Sequence, residues 1–263
     1  MDLRIRGRVA LVTGASAGLG YAAAEALAAE GAQVILASRD LGRITEAAQR
    51  VTASTGEPAY GVAMDVRQPD AGDRLVAAAR ERFGDPSILI TNAGGPAPGP
   101  FAKQTIEDFE EALRLNFLSA VVLTRAALPA MQKAKWGRIV HVASTTIQEP
   151  SVGLFLSSSV RPALAGFSKA LSREVASFGI TSNVVAPGLI ATDRLKELGE
   201  YRAKESGKSV DEEMVAMAEQ VPLGRLGRPE EFGSLVAFLC SERAAYITGE
   251  AIRLDGGRTG FLL

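Results

Sequence analysis

A single cysteine and a single histidine in 263 residues set the first limits on this chain. Cys240 lies in the apolar run LVAFLCSE, so no internal disulfide can form and its expected role is small core filler. His141 has no companion cluster of metal ligands. In the alternating run RIVHVAS it is expected to be a satisfied core histidine rather than a base. Net charge is nearly absent too: −1, with 22% charged residues, calls for neither nucleic acid nor an anionic membrane as partner. No uncharged apolar run reaches the roughly 18 residues of a membrane span. The apolar part of the N-terminal MDLRIRGRVALVTG is too short for a signal peptide, and a cytoplasmic protein is expected.

What is abundant is short apolar runs, separated by stretches of helical periodicity, in a chain that is 47% apolar. The runs are Val9–Val12, Gln33–Ala37, Ala59–Ala63, Ser87–Thr91, Arg138–Ala143, Ser182–Ala186 and Glu250–Leu254. The first is followed by Leu19–Glu30, with Leu19, Ala22, Ala23, Ala26 and Leu27 at helical spacing and Gly31 as a stop. Seven strands alternating with helices predict one α/β domain over 1–263: a Rossmann-type, doubly wound parallel sheet with helices on both faces. In such a sheet the ligand lies across the carboxyl ends of the strands, so the residues just after each strand carry the functional information.

The stretch after the first strand reads TGASAGLG. Gly14, Gly18 and Gly20 allow the backbone to turn sharply, approach a ligand and pack the following helix closely. The amides of that helix start suit a pyrophosphate. The second strand ends in Ser38-Arg39-Asp40: an arginine here accommodates a 2′-phosphate and favours NADP, an acid favours the ribose hydroxyl of NAD, and both could instead solvate a helix start. The third strand ends in Met64-Asp65-Val66, where Asp65 could accept from an adenine amino group. The fourth ends in Asn92-Ala93-Gly94-Gly95, against which a flat ring or sugar could lie, although both segments are also common turn chemistry. Glu107–Lys135 is expected to be helical and apolar on more than one side, which points to a subunit interface. Asn116 is the buried amide within it, a brace or a site residue.

These motifs, with Gly137-Arg138-Ile139-Val140 leading to Ser144, Pro187-Gly188-x-x-x-Thr192 and Leu254-Asp255-Gly256-Gly257, resemble those of the short-chain dehydrogenase/reductase family. The likeness covers nearly the whole chain and is strongest toward 3-oxoacyl-acyl-carrier-protein reductases. It implies an oxidoreductase moving hydride between NADP, or NAD, and a small-molecule or acyl-carrier-linked carbonyl, built as a homodimer or homotetramer. It also implies that Gly14, Ser16, Gly18, Leu19 and Gly20 hold the pyrophosphate, and that Ser38, Arg39, Asp65, Val66, Asn92, Ala93 and Gly94 line the adenosine side. Pro187, Gly188, Ile190 and Thr192 would fix the nicotinamide, and Asn116 and Ser144 would order water and the substrate oxygen.

Thr91 is a small departure from the family, standing where many members have a second asparagine, and a pair of positions downstream of Ser144 is a large one. Where its members carry a tyrosine and a lysine that protonate the substrate oxygen, this chain has Ser157 and Arg161, and none of Tyr21, Tyr60, Tyr201 and Tyr246 falls near. A serine hydroxyl is far less acidic than a phenol and needs a base or water relay, whereas Arg161 supplies charge and can orient a ribose without losing a proton. Ser157 or a bound water is therefore expected to replace the phenol, with a catalytically impaired dinucleotide-binding scaffold or sensor as the alternative. Pro162 fits a helix only in its first turn, which makes Ser159 a candidate N-cap and leaves Ser157 and Ser158 before the helix, as capping chemistry or as catalysts. The charge-rich segment Arg194–Gln220, within an expected lid at 192–222, is either a mobile cover over the substrate or a solvated helical hairpin.

Overall fold

The computed structural model describes residues 1–261, so the last two residues of the expected 1–263 domain lie outside them. Seven parallel strands form one sheet: β1 (Val9–Thr13), β2 (Gln33–Ser38), β3 (Ala59–Ala63), β4 (Ile88–Thr91), β5 (Gly137–Val142), β6 (Ile180–Pro187) and β7 (Ala251–Leu254). Their order is β3-β2-β1-β4-β5-β6-β7. The chain runs outward from β1 to β3 and then crosses back to place β4 on the other side of β1. The reversal opens a crevice at the carboxyl ends of β1 and β4.

Side-chain alternation along the strands builds two cores. Ala10 and Val12 of β1 and Val34 and Leu36 of β2 face one layer, with Leu27, Ile44, Val51, Phe232 and Val236. Val9, Leu11, Ile35 and Ala37 face the other, with Leu75, Ala79, Leu123, Ala127, Leu171 and Val175. The helices of the first layer are α1 (Gly18–Ala29), α2 (Leu41–Thr55) and, near the end of the chain, Pro229–Leu239; those of the second include α3 (Ala71–Arg82). A strand apolar on both faces must be covered on both, which is why the runs read as nearly continuous hydrophobics.

Between β4 and β5 lie α4 (Ile106–Leu113), a π-helical turn over Arg114–Leu118 and α5 (Ser119–Ala134). The continuous helical stretch Ile106–Ala134 has the length and mean hydropathy of a membrane span, but its buried residues, among them Ala120, Leu123, Ala127 and Met131, pack within the fold. Ile106, Leu113 and Leu118 remain exposed. The π turn bears Asn116; such one-residue insertions re-aim a side chain without ending the helix.

The segment around the serines differs from the expectation. Helix α6 (Phe155–Val160) begins before Ser157, so Ser157, Ser158 and Ser159 all lie inside it and Ser159 is not an N-cap. Pro162 does stand in the first turn of α7 (Pro162–Val175). Arg161 joins the two in right-handed helical conformation (φ −65, ψ −28), against the usual preference of a residue before proline. The proline removes only one donor, and the bonds Ser158 N–Leu154 O (2.9 Å) and Arg161 N–Ser157 O (3.1 Å) carry the helix up to it. The charge-rich segment is a helical hairpin, α8 (Asp193–Ser206) and α9 (Val210–Glu219), with Thr192 and Ser209 as side-chain N-caps. Helix α10 (Pro229–Leu239) follows, and its C-cap is the buried Cys240, whose thiol burial pushes up to about 12.

Candidate active site

A cavity of about 510 Å³ opens at the carboxyl ends of β1, β4, β5 and β6. One wall is the turn from β1 to α1. Gly14 and Gly18 adopt positive φ (59° and 58°), which residues with a Cβ rarely tolerate. Gly20 is needed for a different reason: a Cβ there would lie against the Gly14 carbonyl and 2.9 Å from Asn92 Nδ2. The side chain of Asn92 is committed to this turn, since its Nδ2 donates to Gly14 O at 3.1 Å, while Thr13 Oγ1 donates to Asn92 O at 2.8 Å. Helix α1 has no acidic residue in its first turn, so the positive end of its dipole is left uncompensated. Across the cavity stands Thr192, whose Cγ2 would lie 3.6 Å from a Cβ on Gly18.

At the far end of the cavity Arg39 and Arg43 line the wall after β2. Asp40 does not compete with them for a ligand: its Oδ1 accepts from Arg43 N at 2.8 Å and caps α2.

At the other end Ser157 Oγ and Thr146 Oγ1 are hydrogen-bonded at 3.0 Å, and Thr146 N donates to Ser144 Oγ at 3.2 Å. The three residues line the cavity together, and Ser157 is only 7% exposed. Arg161, 8% exposed, lies one helical turn on. Its Nη1 donates to the carbonyls of Ala143 and Val142, while its Nε is buried without a protein acceptor. Burial, with the nearby Arg194, pushes its guanidinium down to about 10, which leaves it cationic at neutral pH. Among the described residues that line the cavity there is no histidine, cysteine, tyrosine or lysine.

His141 faces away from this chemistry. It is fully buried, its Nδ1 is 2.8 Å from Thr91 Oγ1 and its ring packs on Phe167. Burial pushes it down to about 4, so it is neutral near pH 7. Asn116 lies beneath the wall. Its Nδ2 donates to Gly94 O at 2.9 Å and its Oδ1 is buried without a protein partner.

Of the residues singled out from sequence, Gly14, Gly18, Leu19, Arg39, Asn92, Ala93, Gly94, Ser144, Ser157, Arg161, Pro187, Gly188, Ile190 and Thr192 converge on this one cavity. Ser16, Gly20, Ser38, Asp65, Val66 and Asn116 do not line it. The Asp65 carboxylate is turned onto Arg67, accepting from its Nε at 2.9 Å, and that guanidinium holds it below the ordinary carboxylate range. Ser38 Oγ donates to Asp40 O at 3.4 Å. Sequence reasoning missed Arg43, Thr146, Arg202 and Arg258, which also face the cavity. Arg43 was detectable as the residue a capping Asp40 places on the first turn of α2. Thr146 carries no spacing signal, because its role depends on contact with Ser157 across the chain.

A family model described as enoyl-(acyl carrier protein) reductase matches residues 14–259. The chain is 38% identical to a 3-oxoacyl-[acyl-carrier-protein] reductase of Vibrio cholerae over 97% of its own length and 98% of that protein's. Among solved structures it resembles L-sorbose reductase from Gluconobacter frateurii complexed with NADPH and L-sorbose, at TM-score 0.94 and 35% identity over the whole of both chains. It also resembles a variant actinorhodin polyketide ketoreductase with NADPH, at TM-score 0.92 and 32% identity over 97% of this chain and 98% of that one. The likeness extends from the glycine turn to the end of the sheet, and the chain belongs to the short-chain dehydrogenase/reductase family of oxidoreductases.

Proposed function

We propose that this protein is an NADPH-dependent carbonyl reductase in which a hydroxyl pair, Ser157 and Thr146, replaces a phenol as the route for the proton. The pairing of those two hydroxyls at 3.0 Å inside the dinucleotide-sized cavity is the observation that carries the reading.

The residues fit the dinucleotide. The positive-φ glycines and the acid-free start of α1 suit a pyrophosphate, with Leu19 beside them. Arg39 and Arg43, with Asp40 withdrawn to its cap, suit a 2′-phosphate. Pro187, Gly188, Ile190 and Thr192 form the wall for the nicotinamide, and Arg161 lies where it can orient the ribose. When bound, NADPH supplies the hydride. The chain's own task is to hold the substrate carbonyl oxygen and deliver one proton to it. Ser144 and Ser157 donate to that oxygen. As negative charge develops there, a proton passes from Ser157 and is replaced through Thr146 and water, so neither hydroxyl needs to hold a charge for long. The buried Arg161 guanidinium favours that transient negative charge. Asn116 acts through Gly94, fixing the carbonyl on which the wall is built.

The relatives named above are reductases of a 3-oxoacyl group carried on a protein, of L-sorbose and of a polyketide. The substrate proposed here is of the same kind, a small-molecule or acyl-carrier-linked ketone. The segment 192–222 is proposed as a lid over it, because α8 lines the cavity through Arg194, Leu195, Leu198 and Arg202. Exposed Ile106, Leu113 and Leu118 support assembly into a homodimer or homotetramer through the α4–α5 face.

Steady-state turnover of ketones with NADPH and NADH tests the reading. NADPH-dependent reduction is expected with a kcat/KM that stays flat from pH 6 to 8, because His141 stays neutral and Arg161 stays charged throughout that range. A single steep titration near neutrality would point to a different proton donor. Calorimetric binding of NADPH without turnover of any ketone would favour the scaffold or sensor instead, a reading that rests on Ser157 and Arg161. Arg39→Gln is expected to lower kcat/KM for NADPH by about ten- to a hundredfold with little effect on NADH, the size of one lost charge-assisted contact. An equal fall with both cofactors would remove Arg39 from the phosphate site.

A further inference from the structure

Arg202, on the third turn of α8, and Arg258, just after the Asp255-Gly256-Gly257 turn that follows β7, converge from opposite directions on the cavity lined by Ser144 and Ser157. We infer that they form an oxyanion subsite, so that the substrate is a ketone bearing a carboxylate or phosphate group away from its carbonyl. The inference deepens the reductase reading and rests on it for the word substrate, but the subsite itself does not.

Two guanidinium groups side by side repel each other and are normally separated or neutralised by acids. Here both line one cavity, near enough for repulsion from Arg258 to pull the Arg202 guanidinium down. Among the described residues no carboxylate oxygen comes within 4 Å of either one, although ion pairs of that kind occur elsewhere on the surface, as between Arg225 and Glu231. Three of the nearby acids are held by other partners. Asp255 accepts from the amides of Gly257 and Thr259, Glu197 pairs with Arg194 at 2.9 Å, and Glu213, on α9, accepts from Ser206 Oγ at 2.7 Å. Of the remaining lining acids, Asp193 is exposed at the start of α8 and Glu149 follows the Thr145–Ile147 turn.

Arg258 Nε is buried without an acceptor, an arrangement that costs free energy until an anion meets it. Arg202 experiences the same crowding: burial first, then repulsion from Arg258, pull its guanidinium below its ordinary value, and the attraction of Glu213 is the smallest of the three effects. Arg194, by contrast, is already satisfied by Pro96 O at 2.6 Å and by Glu197. A planar fork with no acceptor, beside a second one, is the donor set that carboxylate and phosphate oxygens complete. The 2′-phosphate of the dinucleotide has its own pair, Arg39 and Arg43, at the other end of the cavity, which leaves this pair for the substrate.

Two matched pairs of ketones provide the test: levulinate against methyl levulinate, and dihydroxyacetone phosphate against dihydroxyacetone, each reduced with NADPH at fixed ionic strength. The charged member of at least one pair is expected to be favoured in kcat/KM by tenfold or more, and which pair responds tells carboxylate from phosphate. In Arg202→Gln and Arg258→Gln that preference is expected to fall at least tenfold, mainly through KM. A wild-type preference near one, or a preference that survives both substitutions, overturns the inference. So does a loss of NADPH affinity in the variants that matches the loss for the charged ketone, which would assign the arginines to the cofactor. If none of the four ketones turns over, the reductase reading fails first, and the subsite is read by calorimetry on the NADP-loaded protein. Binding of levulinate or of inorganic phosphate that is lost in both variants sustains the subsite, and binding of neither to wild type removes it.

Discussion

Replacing Ser157 by alanine is expected to lower kcat about a hundred- to a thousandfold, with KM and NADPH affinity within a factor of three of wild type. That range is the lower part of the usual contribution of a positioned proton donor. The hydroxyl lies inside α6 at 7% exposure, so its removal changes neither the glycine turn nor the arginines after β2. What it leaves behind is Thr146 Oγ1 without its partner at 3.0 Å and a substrate oxygen without its donor. Thr146→Val should give a smaller loss of the same kind, falling on kcat, because it cuts the resupply of the proton rather than the donor itself. Ser157→Thr restores a hydroxyl at the same carbon and should recover most of the rate. The buried orphan hydroxyl in Ser157→Ala costs about 1–3 kcal/mol of stability, so the comparison is made well below the midpoint of unfolding. A Ser157→Ala protein with kcat within threefold of wild type would transfer the role to a bound water held by Ser144.

The frame on which this hydroxyl sits was legible because it is enforced twice. The central strands β1, β2 and β4 are apolar on both faces, and the runs are bounded by glycine or polar turn residues, so the seven runs read from sequence coincide with the seven strands within a residue or two. The glycine turn was legible for a similar reason, since its spacing reflects positive φ and close backbone approach that few other residues allow. Partner choice was not legible. Asp65 reads as a free acceptor at a strand end, yet Arg67, two residues on, takes its carboxylate; Asn92 reads as a ligand contact, yet its amide clasps Gly14. Short polar side chains after strands can bond locally or to a ligand, and which bond forms depends on what the fold brings within 3 Å. The start of α6 was misjudged because Pro162 marks a helix start correctly but says nothing about a separate turn of helix leading into it. Arg202 and Arg258 come to one cavity only in the folded chain, and no pattern local to either segment identifies them as a pair.

Gly20→Ala is expected to have the largest effect on the cofactor site, because the added methyl has nowhere to go. Built on this backbone, its carbon would lie 2.7 Å from the Gly14 carbonyl carbon and 2.9 Å from Asn92 Nδ2. Neither neighbour is the flexible end of a long side chain. The first is backbone in a turn fixed by positive φ at Gly14, and the second is held by its bond to Gly14 O, so relief requires α1 to slide off β1. Overpacking of this kind costs on the order of 3 kcal/mol, which for a chain of this size corresponds to a fall in Tm of about 6–12 °C. The same displacement moves the amides at the start of α1 away from a pyrophosphate. Losing two charge-assisted bonds to those amides should weaken NADPH at least about a hundredfold. Calorimetry with NADPH on the folded variant, run 20 °C below its Tm, separates the two effects. A Gly20→Ala protein that binds NADPH within threefold of wild type would mean that the dinucleotide does not depend on this turn, and the assignment of the cavity as its site would fall with it.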